Sequence, residues 1–319
     1  MNLQTKILVP RANNQIGYDS QLLLLGSCFS QNIGNKLDYF KFRSLQNPFG
    51  ILFNPRAIEN LVERAVEKKI YSETDLFFQN ERWHTFDAHS DMSLVLKGDL
   101  LATLNSNLVR TRNQIEKATH IIITLGTAWV YRHKKSQKIV ANCHKIPQKE
   151  FDKSILPISE TTASLKNIIE RIQSVNTNAQ IVFTISPVRH LKDGFVENQI
   201  SKSRLITAVH EIIGVSPTGA KGIYFPSYEV MMDELRDYRF YAQDMIHPNQ
   251  LAIDYVWEKF KEVWVLEDAY KTMGKVEDIQ KGLRHKPFHP ESEQHQKFKK
   301  SLQAKIAYIN GEYPFMDFN

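Results

Sequence analysis

Short apolar runs alternate along the chain with stretches in which apolar residues recur every three or four positions. The clearest runs, rich in Leu, Ile and Val, cover residues 21–25, 119–125, 180–186 and 222–225. Unbroken runs of this length are typical of strands in a parallel sheet with both faces covered. The periodic stretches predict helices over 31–38, 55–69, 100–117, 158–175, 197–213 and 249–263.

This alternation of strands and helices predicts an α/β fold with a doubly wound parallel sheet. Residues 71–96 do not fit a minimal strand–helix repeat, and we interpret them as an insertion near the functional site. The chain beyond about residue 266 is charged and basic, with seven Lys or Arg against two Glu over 281–305. We therefore predict a main domain over 1–265 and a helical appendage over 266–319 that packs on it.

Composition excludes several classes of protein. The 319 residues are 42% hydrophobic and 24% charged, which argues against a disordered, coiled-coil or collagen-like chain. The longest aliphatic run, 22–25, is far shorter than the roughly 20 apolar residues of a membrane span. No signal peptide is expected, and two cysteines suit the reducing cytoplasm. A net charge of +6 is mild for this length and does not indicate a nucleic-acid partner; oligomeric state is left open.

Polar residues follow the predicted strands, at the edge where an open α/β sheet binds its ligands. Ser27 follows the first strand, in a turn that also suits a helix N-cap. Asp244 and His247 precede the last predicted helix and are three residues apart, so the carboxylate can orient the imidazole. Together they predict a serine hydrolase site, with Ser27 as nucleophile, His247 as base and Asp244 as its orienter.

The segment Gly26-Ser27-Cys28-Phe29-Ser30 resembles the signature of the GSCFA family, with Ser30 in place of the final alanine. Similar motifs follow in order along the chain: Asn47-Pro48-Phe49-Gly50, Trp83-His84-Thr85-Phe86-Asp87 with His89-Ser90, Leu125-Gly126-Thr127-Ala128-Trp129-Val130-Tyr131, Asn142-Cys143-His144-Lys145, Thr184-Ile185-Ser186-Pro187-Val188-Arg189-His190, Ser201-Lys202 and Asp244-Met245-Ile246-His247-Pro248. The resemblance covers about residues 3–265. Since that family belongs to the SGNH (GDSL-like) hydrolases, the resemblance implies a three-layer α/β/α sandwich with a flavodoxin-like sheet of about five parallel strands.

The same resemblance assigns roles to residues of this chain. It places Ser27, Asp244 and His247 in the triad, and the backbone amides of Ser27 and Gly50 in the oxyanion hole. The superfamily's usual asparagine is missing, so Thr127 and Asn142 are the candidates for a third donor. The implied reaction is hydrolysis of a small ester, with deacetylation of a carbohydrate as the leading example, and it needs no cofactor or metal.

Six further residues on loops near this edge are candidate substrate contacts: His84, His89, Trp129, His144, Arg189 and His190. Arg189 suits a substrate carboxylate or phosphate, and equally a structural ion pair. The cluster of His84, Asp87 and His89 is interpreted as lining the substrate pocket or satisfying hydrogen bonds in the insertion, in preference to a metal site.

Three alternatives stay open at the level of sequence. Cys28 lies beside Ser27 and is a second candidate nucleophile, but neighbouring residues on a turn point in different directions, so only one can face His247. We favour Ser27 and interpret Cys28 as small apolar packing. The missing asparagine also suits a non-catalytic module that binds an acylated or sugar ligand. Transfer of the acyl group to a sugar would use the same residues as hydrolysis.

Overall fold

A five-stranded parallel sheet lies at the centre of the structure, a computed structural model that describes residues 4–214 and 222–318. The strands within these residues are β1 (Gln21–Gly26), β2 (Arg43–Gln46), β3 (Leu76–Gln79), β4 (Arg82–Thr85), β5 (His120–Leu125), β6 (Trp129–His133), β7 (Ile139–Val140), β8 (Phe151–Ile155), β9 (Gln180–Ile185) and β10 (Gly222–Phe225). The central sheet has the order β10–β9–β5–β1–β2. This is the doubly wound, flavodoxin-like order, so the predicted fold class is confirmed.

Helices cover both faces of this sheet and make it the middle of three layers. They are α1 (Cys28–Tyr39), α2 (Pro55–Val66), α3 (Lys97–Lys117), α4 (Ile158–Val175), α5 (Phe195–Gly214), α6 (Ser227–Glu229), α7 (Gln250–Trp264), α8 (Glu267–Arg284) and α9 (Glu293–Glu312). Side chains of β1 alternate between the two faces: Leu23 and Leu25 pack with α2 to α5, whereas Leu22 and Leu24 pack with α1 and α7. Burial on both faces explains why the strand sequence is apolar without interruption.

The strand register brings the carboxyl ends of β1, β5 and β9 level with one another. Gly26 pairs with Thr124, and Thr124 pairs with Thr184. Neighbouring parallel strands lie about 4.8 Å apart, so the residues that follow these three strands are neighbours in space. The edge strand β2 was not predicted from the sequence. Its four residues are exposed or only partly buried, so they do not form an apolar run.

Two small antiparallel sheets are added to this core. The segment 71–96, predicted as an insertion, contains the β3–β4 hairpin, which is extended by a bridge between Trp83 and Leu94. The sheet β7–β6–β8 was not predicted. Its strands are short, and β8 has exposed Asp, Lys and Ser between a buried Phe and a half-buried Ile, so it lacks the apolar run that marked the central strands.

The C-terminal helices share a core with the rest of the chain. Met273, Val276 and Ile279 of α8 and Ile309 of α9 are buried in the cluster formed by α1 and α7. Phe318 is in the same cluster and is only 8% exposed. The appendage therefore packs on the main body, whereas its division from that body at residue 265 stays a prediction. Within the described residues, no helix is both long enough and apolar enough to span a bilayer.

We predict that Gly26→Ala destabilises the protein and disrupts the turn that carries Ser27. Gly26 has φ +127°, and a Cβ built there would lie 2.0 Å from the Thr124 carbonyl oxygen. The expected loss is about 2–4 kcal/mol in the free energy of unfolding, measured by urea titration.

Gly274→Ala is the matched control for this substitution. Gly274 is exposed in the middle of α8, with nothing within 4 Å of an added Cβ. It is expected to gain about 0.5–1 kcal/mol. An unchanged unfolding free energy for Gly26→Ala would contradict the strain argument.

Candidate functional site

Ser27 lies at the sharp turn between β1 and α1. It is the N-cap of α1, and its hydroxyl oxygen accepts a hydrogen bond from the Phe29 amide at 3.5 Å. The residue is only 1% exposed, so the hydroxyl lies beneath the surface. Capping uses a lone pair of the oxygen and leaves the O–H group as a donor. The helix-cap interpretation is therefore confirmed, and it is compatible with a reactive serine.

Asp244 and His247 form a hydrogen-bonded pair in the turn before α7. Asp244 Oδ2 lies 2.6 Å from His247 Nδ1. Asp244 Oδ1 accepts from the amides of Ile246 and His247 at 2.9 and 3.0 Å, and these bonds lower the carboxyl pKa to about 2. The carboxylate thus stays charged and fixes the imidazole so that Nε2 faces away from it. The predicted orienter and base are brought together.

The structure does not join this pair directly to the serine. Among the described residues, no hydrogen bond links Ser27 and His247, and the His247 side chain is 53% exposed. The turn is connected to the sheet edge by Arg189, which donates to the Met245 carbonyl at 3.0 Å. The neighbouring His190 lies within electrostatic reach of His247.

His190 lies against the sheet edge and within electrostatic reach of His247. Its ring lies edge-on to Phe53 at 5.3 Å, and its Nε2 is 3.2 Å from the position of a Cβ added to Gly126. Burial, followed by the charges of Lys202, His247 and Lys192, lowers its pKa to about 3. The imidazole is therefore neutral at physiological pH. Among the described residues, no hydrogen bond involves either of its ring nitrogens.

Lys202 on α5 is a buried cation that the sequence analysis noted only within a motif. It is fully buried, and Nζ donates to the carbonyl oxygens of Gly126 and Ser186, both at 2.8 Å. These carbonyls follow β5 and β9, so the amine ties two strand ends together. Burial lowers its pKa to about 7. Its spacing to Leu205 and Val209, on the apolar face of α5, was the signal available in the sequence.

The surroundings of Cys28 argue against its role as the nucleophile. Burial raises the pKa of its thiol, although the charge of Lys202 and the side chains of Ser27 and Ser186 act in the opposite direction. The thiolate is the reactive form of cysteine, so a raised pKa reduces reactivity at neutral pH. The interpretation of Cys28 as packing is the one these contacts favour.

The amides predicted for the oxyanion hole already have acceptors within the protein. Ser27 donates its amide to the Thr124 carbonyl at 3.1 Å, because pairing with β5 continues past the end of β1. Gly50 donates to the Asn47 carbonyl at 2.8 Å. Neither amide is a free donor as placed here, and their oxyanion role stays a prediction.

The two candidates for the third donor differ in how far their polar groups are engaged. The Thr127 hydroxyl lies 3.1 Å from that of Ser201 and accepts from the Trp129 amide at 3.0 Å. Asn142 Oδ1 accepts from the His144 amide at 2.8 Å, and no contact within the described residues joins it to Ser27. The identity of the third donor is therefore open to other residues at this edge.

Comparison with known families agrees with this arrangement of motifs. The family model described as GSCFA family matches residues 21–260, and the one described as GSCFA domain protein, C-terminal domain, matches residues 276–319. This chain belongs to the GSCFA family. None of the curated proteins matches it.

Three of the other predicted contacts in this GSCFA chain lie near the Ser27 edge or against α5. Arg189 packs over the Tyr241 ring at 5.0 Å. It forms no salt bridge with any described residue, so the structural ion pair is not found among those residues. A Cβ added to Gly50 would lie 2.5 Å from the His89 Cβ. The His89 side chain therefore packs against the loop formed by residues 47–53. Trp129 donates its indole N–H to the Glu197 carbonyl of α5 at 3.4 Å.

The remaining two histidines hold the insertion together. His84 donates Nε2–H to the Gln79 carbonyl at 2.9 Å, which leaves Nδ1 to accept from Ser93 at 2.6 Å. His144 packs on His84 with 4.6 Å between ring centroids and donates to the Thr85 carbonyl. Their role in substrate binding stays a prediction. Within residues 4–214 and 222–318, no group of three or more potential ligands is arranged to hold a metal.

We predict that Lys202→Gln removes a pH-dependent part of the stability. The ordinary lysine pKa of 10.5 falls to about 7 on folding, so between these values the unfolded chain binds more protons. The unfolding free energy of the wild type should therefore rise with pH relative to the variant, by at most about 1.4 kcal/mol per pH unit. Urea titrations at several pH values from 7 to 9 measure this difference.

Lys192→Gln is the matched control, because Lys192 is an exposed lysine on the neighbouring loop. It should leave the wild-type pH dependence unchanged. Parallel pH profiles for the wild type and Lys202→Gln would mean that Lys202 keeps an ordinary pKa in the folded protein.

Proposed function

We propose that this GSCFA chain is a serine ester hydrolase of the SGNH type. The observation that carries the proposal is the 2.6 Å pair of Asp244 and His247, linked by Arg189 and His190 to the sheet edge where Ser27 lies. A carboxylate that fixes an imidazole near a serine at a strand-to-helix turn is the arrangement that nucleophilic acyl transfer requires. Membership of the SGNH superfamily is part of the proposal.

Each group has a defined task in the proposed reaction. Ser27 Oγ attacks the ester carbonyl carbon, and its proton passes to Nε2 of His247, while Asp244 stabilises the imidazolium. The bond to the alcohol oxygen then breaks, and His247 returns the proton to the leaving alkoxide. Water attacks the acyl-serine with the same base, which releases the carboxylic acid and restores Ser27. The proposal includes no cofactor or metal.

The burial of Ser27 sets a condition on this reaction. Because the serine is 1% exposed and makes no hydrogen bond with His247, substrate binding has to bring the two side chains together. Catalytic hydrogen bonds are commonly long or absent before substrate binds and tighten in the complex. The exposed His247 side chain is the more mobile partner in this step.

The proposed substrate is a small-molecule ester, with an O-acetylated carbohydrate as the leading example. The carbohydrate rests on analogy with the superfamily, because a fold by itself does not determine a substrate. Both cysteines are free thiols, which is consistent with the cytoplasm as the proposed location.

A second candidate function is non-catalytic binding of an acylated or sugar ligand. The observations that favour it are the burial of Ser27 and the engaged amides of Ser27 and Gly50. Such a module would bind its ligand without turnover, and Ser27→Ala would not weaken binding. Acyl transfer to a sugar uses the same residues as hydrolysis, and product analysis with an added sugar acceptor separates these two reactions.

We predict that a fluorophosphonate probe labels the wild-type protein and Cys28→Ala, but neither Ser27→Ala nor His247→Ala. The probe phosphonylates a serine whose proton is removed by a neighbouring base, so it needs no knowledge of the substrate. Asp244→Asn should label about 10²–10⁴-fold more slowly, because the imidazole loses its fixed tautomer. Fluorescence of the labelled band over time gives the rates.

Two outcomes would contradict the hydrolase proposal. If the folded wild-type protein is not labelled by the probe, non-catalytic ligand binding becomes the favoured function. Labelling that survives Ser27→Ala and is lost in Cys28→Ala would make the thiol the nucleophile.

A further inference from the structure

No side-chain donor for the oxyanion has yet been assigned in the proposed reaction, on which this inference rests. The usual asparagine is replaced by the segment Gly126-Thr127-Ala128-Trp129, and the Thr127 hydroxyl is engaged with Ser201. An ester hydrolase needs hydrogen-bond donors at the position where negative charge develops on the carbonyl oxygen. A donor at this edge should be preorganised, close to Ser27 and without another acceptor.

His190 meets the condition of position. Ser27 and Gly126 end neighbouring strands, since the Ser27 amide donates to Thr124 of β5. The Gly126 amide donates to the Phe53 carbonyl at 2.8 Å, and the His190 ring packs on Phe53. His190 Nε2 would be 3.2 Å from a Cβ at Gly126, so the absence of a side chain there lets the imidazole lie against the strand end.

His190 also meets the conditions of rigidity and availability. Its amide donates to Asn198 at 2.9 Å, which anchors the residue to α5, and Phe53 packs against the ring. Neither ring nitrogen has a hydrogen-bond partner among residues 4–214 and 222–318. A neutral imidazole always carries one N–H, so the ring has a donor to offer.

We propose that His190 is a catalytic residue of the Ser27 site, which donates an imidazole N–H to the oxyanion in place of the missing asparagine. The substrate class is thereby an ester whose carbonyl oxygen points towards the β5–β9 edge, with its acyl carbon over Ser27.

The charges around His190 suit this role better than that of a base. Burial is the main cause that disfavours a positive charge on His190, and Lys202 from α5, His247 from the turn before α7 and Lys192 from its own loop act in the same direction. A general base works best when its pKa is near the working pH, and His190 is far below it. A neutral imidazole donor, by contrast, keeps its N–H at every pH at which the protein is expected to work. The two histidines thus have different roles. His247 accepts and returns the proton, and His190 donates a hydrogen bond to the negatively charged oxygen.

The test measures second-order rates of fluorophosphonate labelling for His190→Phe and His190→Asn. His190→Phe keeps a ring against Phe53 but has no N–H, and it should label about 10²–10³-fold more slowly than the wild type. His190→Asn restores an amide N–H donor and should label at least tenfold faster than His190→Phe. His190→Leu is a second variant without a donor, matched to Asn in size, for the case that His190→Phe does not fold. Circular dichroism verifies the fold of each variant.

His210→Phe is the control for a histidine-to-phenylalanine change on the same side of the fold. His210 is exposed on α5, its ring lies against Tyr224, and it should label at the wild-type rate.

Two results would overturn the assignment of His190 alone. One is a wild-type rate in folded His190→Phe or His190→Leu. The other is equal inactivity of folded His190→Asn and His190→Leu, which would mean that the site needs the imidazole for a purpose other than donation. If Ser27→Ala labels like the wild type, the proposed hydrolase fails, and the role of His190 fails with it.

Discussion

A buried amine joins two strand ends at the candidate site, and the position of His190 at that site depends on the junction. Lys202 is fully removed from water, and the carbonyls of Gly126 and Ser186 are its only acceptors among the described residues. Burial of a charged amine is costly, and its pKa of about 7 reflects that cost. The two hydrogen bonds of this amine fix the separation between the loops that follow β5 and β9. His190 is on one of these loops and packs against Gly126 on the other.

Local motifs in this protein could be predicted from the sequence, whereas distances between motifs could not. The Asp244–His247 pair depends on a spacing of three residues, and the turn closes it without help from distant parts of the chain. The central strands were recognised because burial on both faces leaves no polar position in residues such as Ile121 to Ile123. The distance between Ser27 and His247 depends on how two loops from opposite ends of the chain pack, and no local pattern encodes it.

The features that the sequence analysis missed share a physical cause. Strands β6 to β8 lie at the surface, where polar and apolar residues mix and no run stands out. Lysine is usually a surface residue, so the residue type of Lys202 does not indicate burial. Only its position on the apolar face of α5 indicates that it is buried. The neutrality of His190 arises first from burial and then from Lys202, His247 and Lys192, which come from three separate segments. Burial and charge at this site are therefore properties of the assembled fold.

The most direct test of the account is a crystal structure of the protein after reaction with a fluorophosphonate. This proposed mechanism predicts a bond between Ser27 Oγ and phosphorus, with the phosphoryl oxygen within hydrogen-bond distance of a His190 ring nitrogen. It also predicts that His247 Nε2 has moved towards Ser27 while Nδ1 stays on Asp244. A phosphonate on any other residue, or an adduct on Ser27 from which His247 stays remote, would contradict the central claim that these residues form one catalytic site.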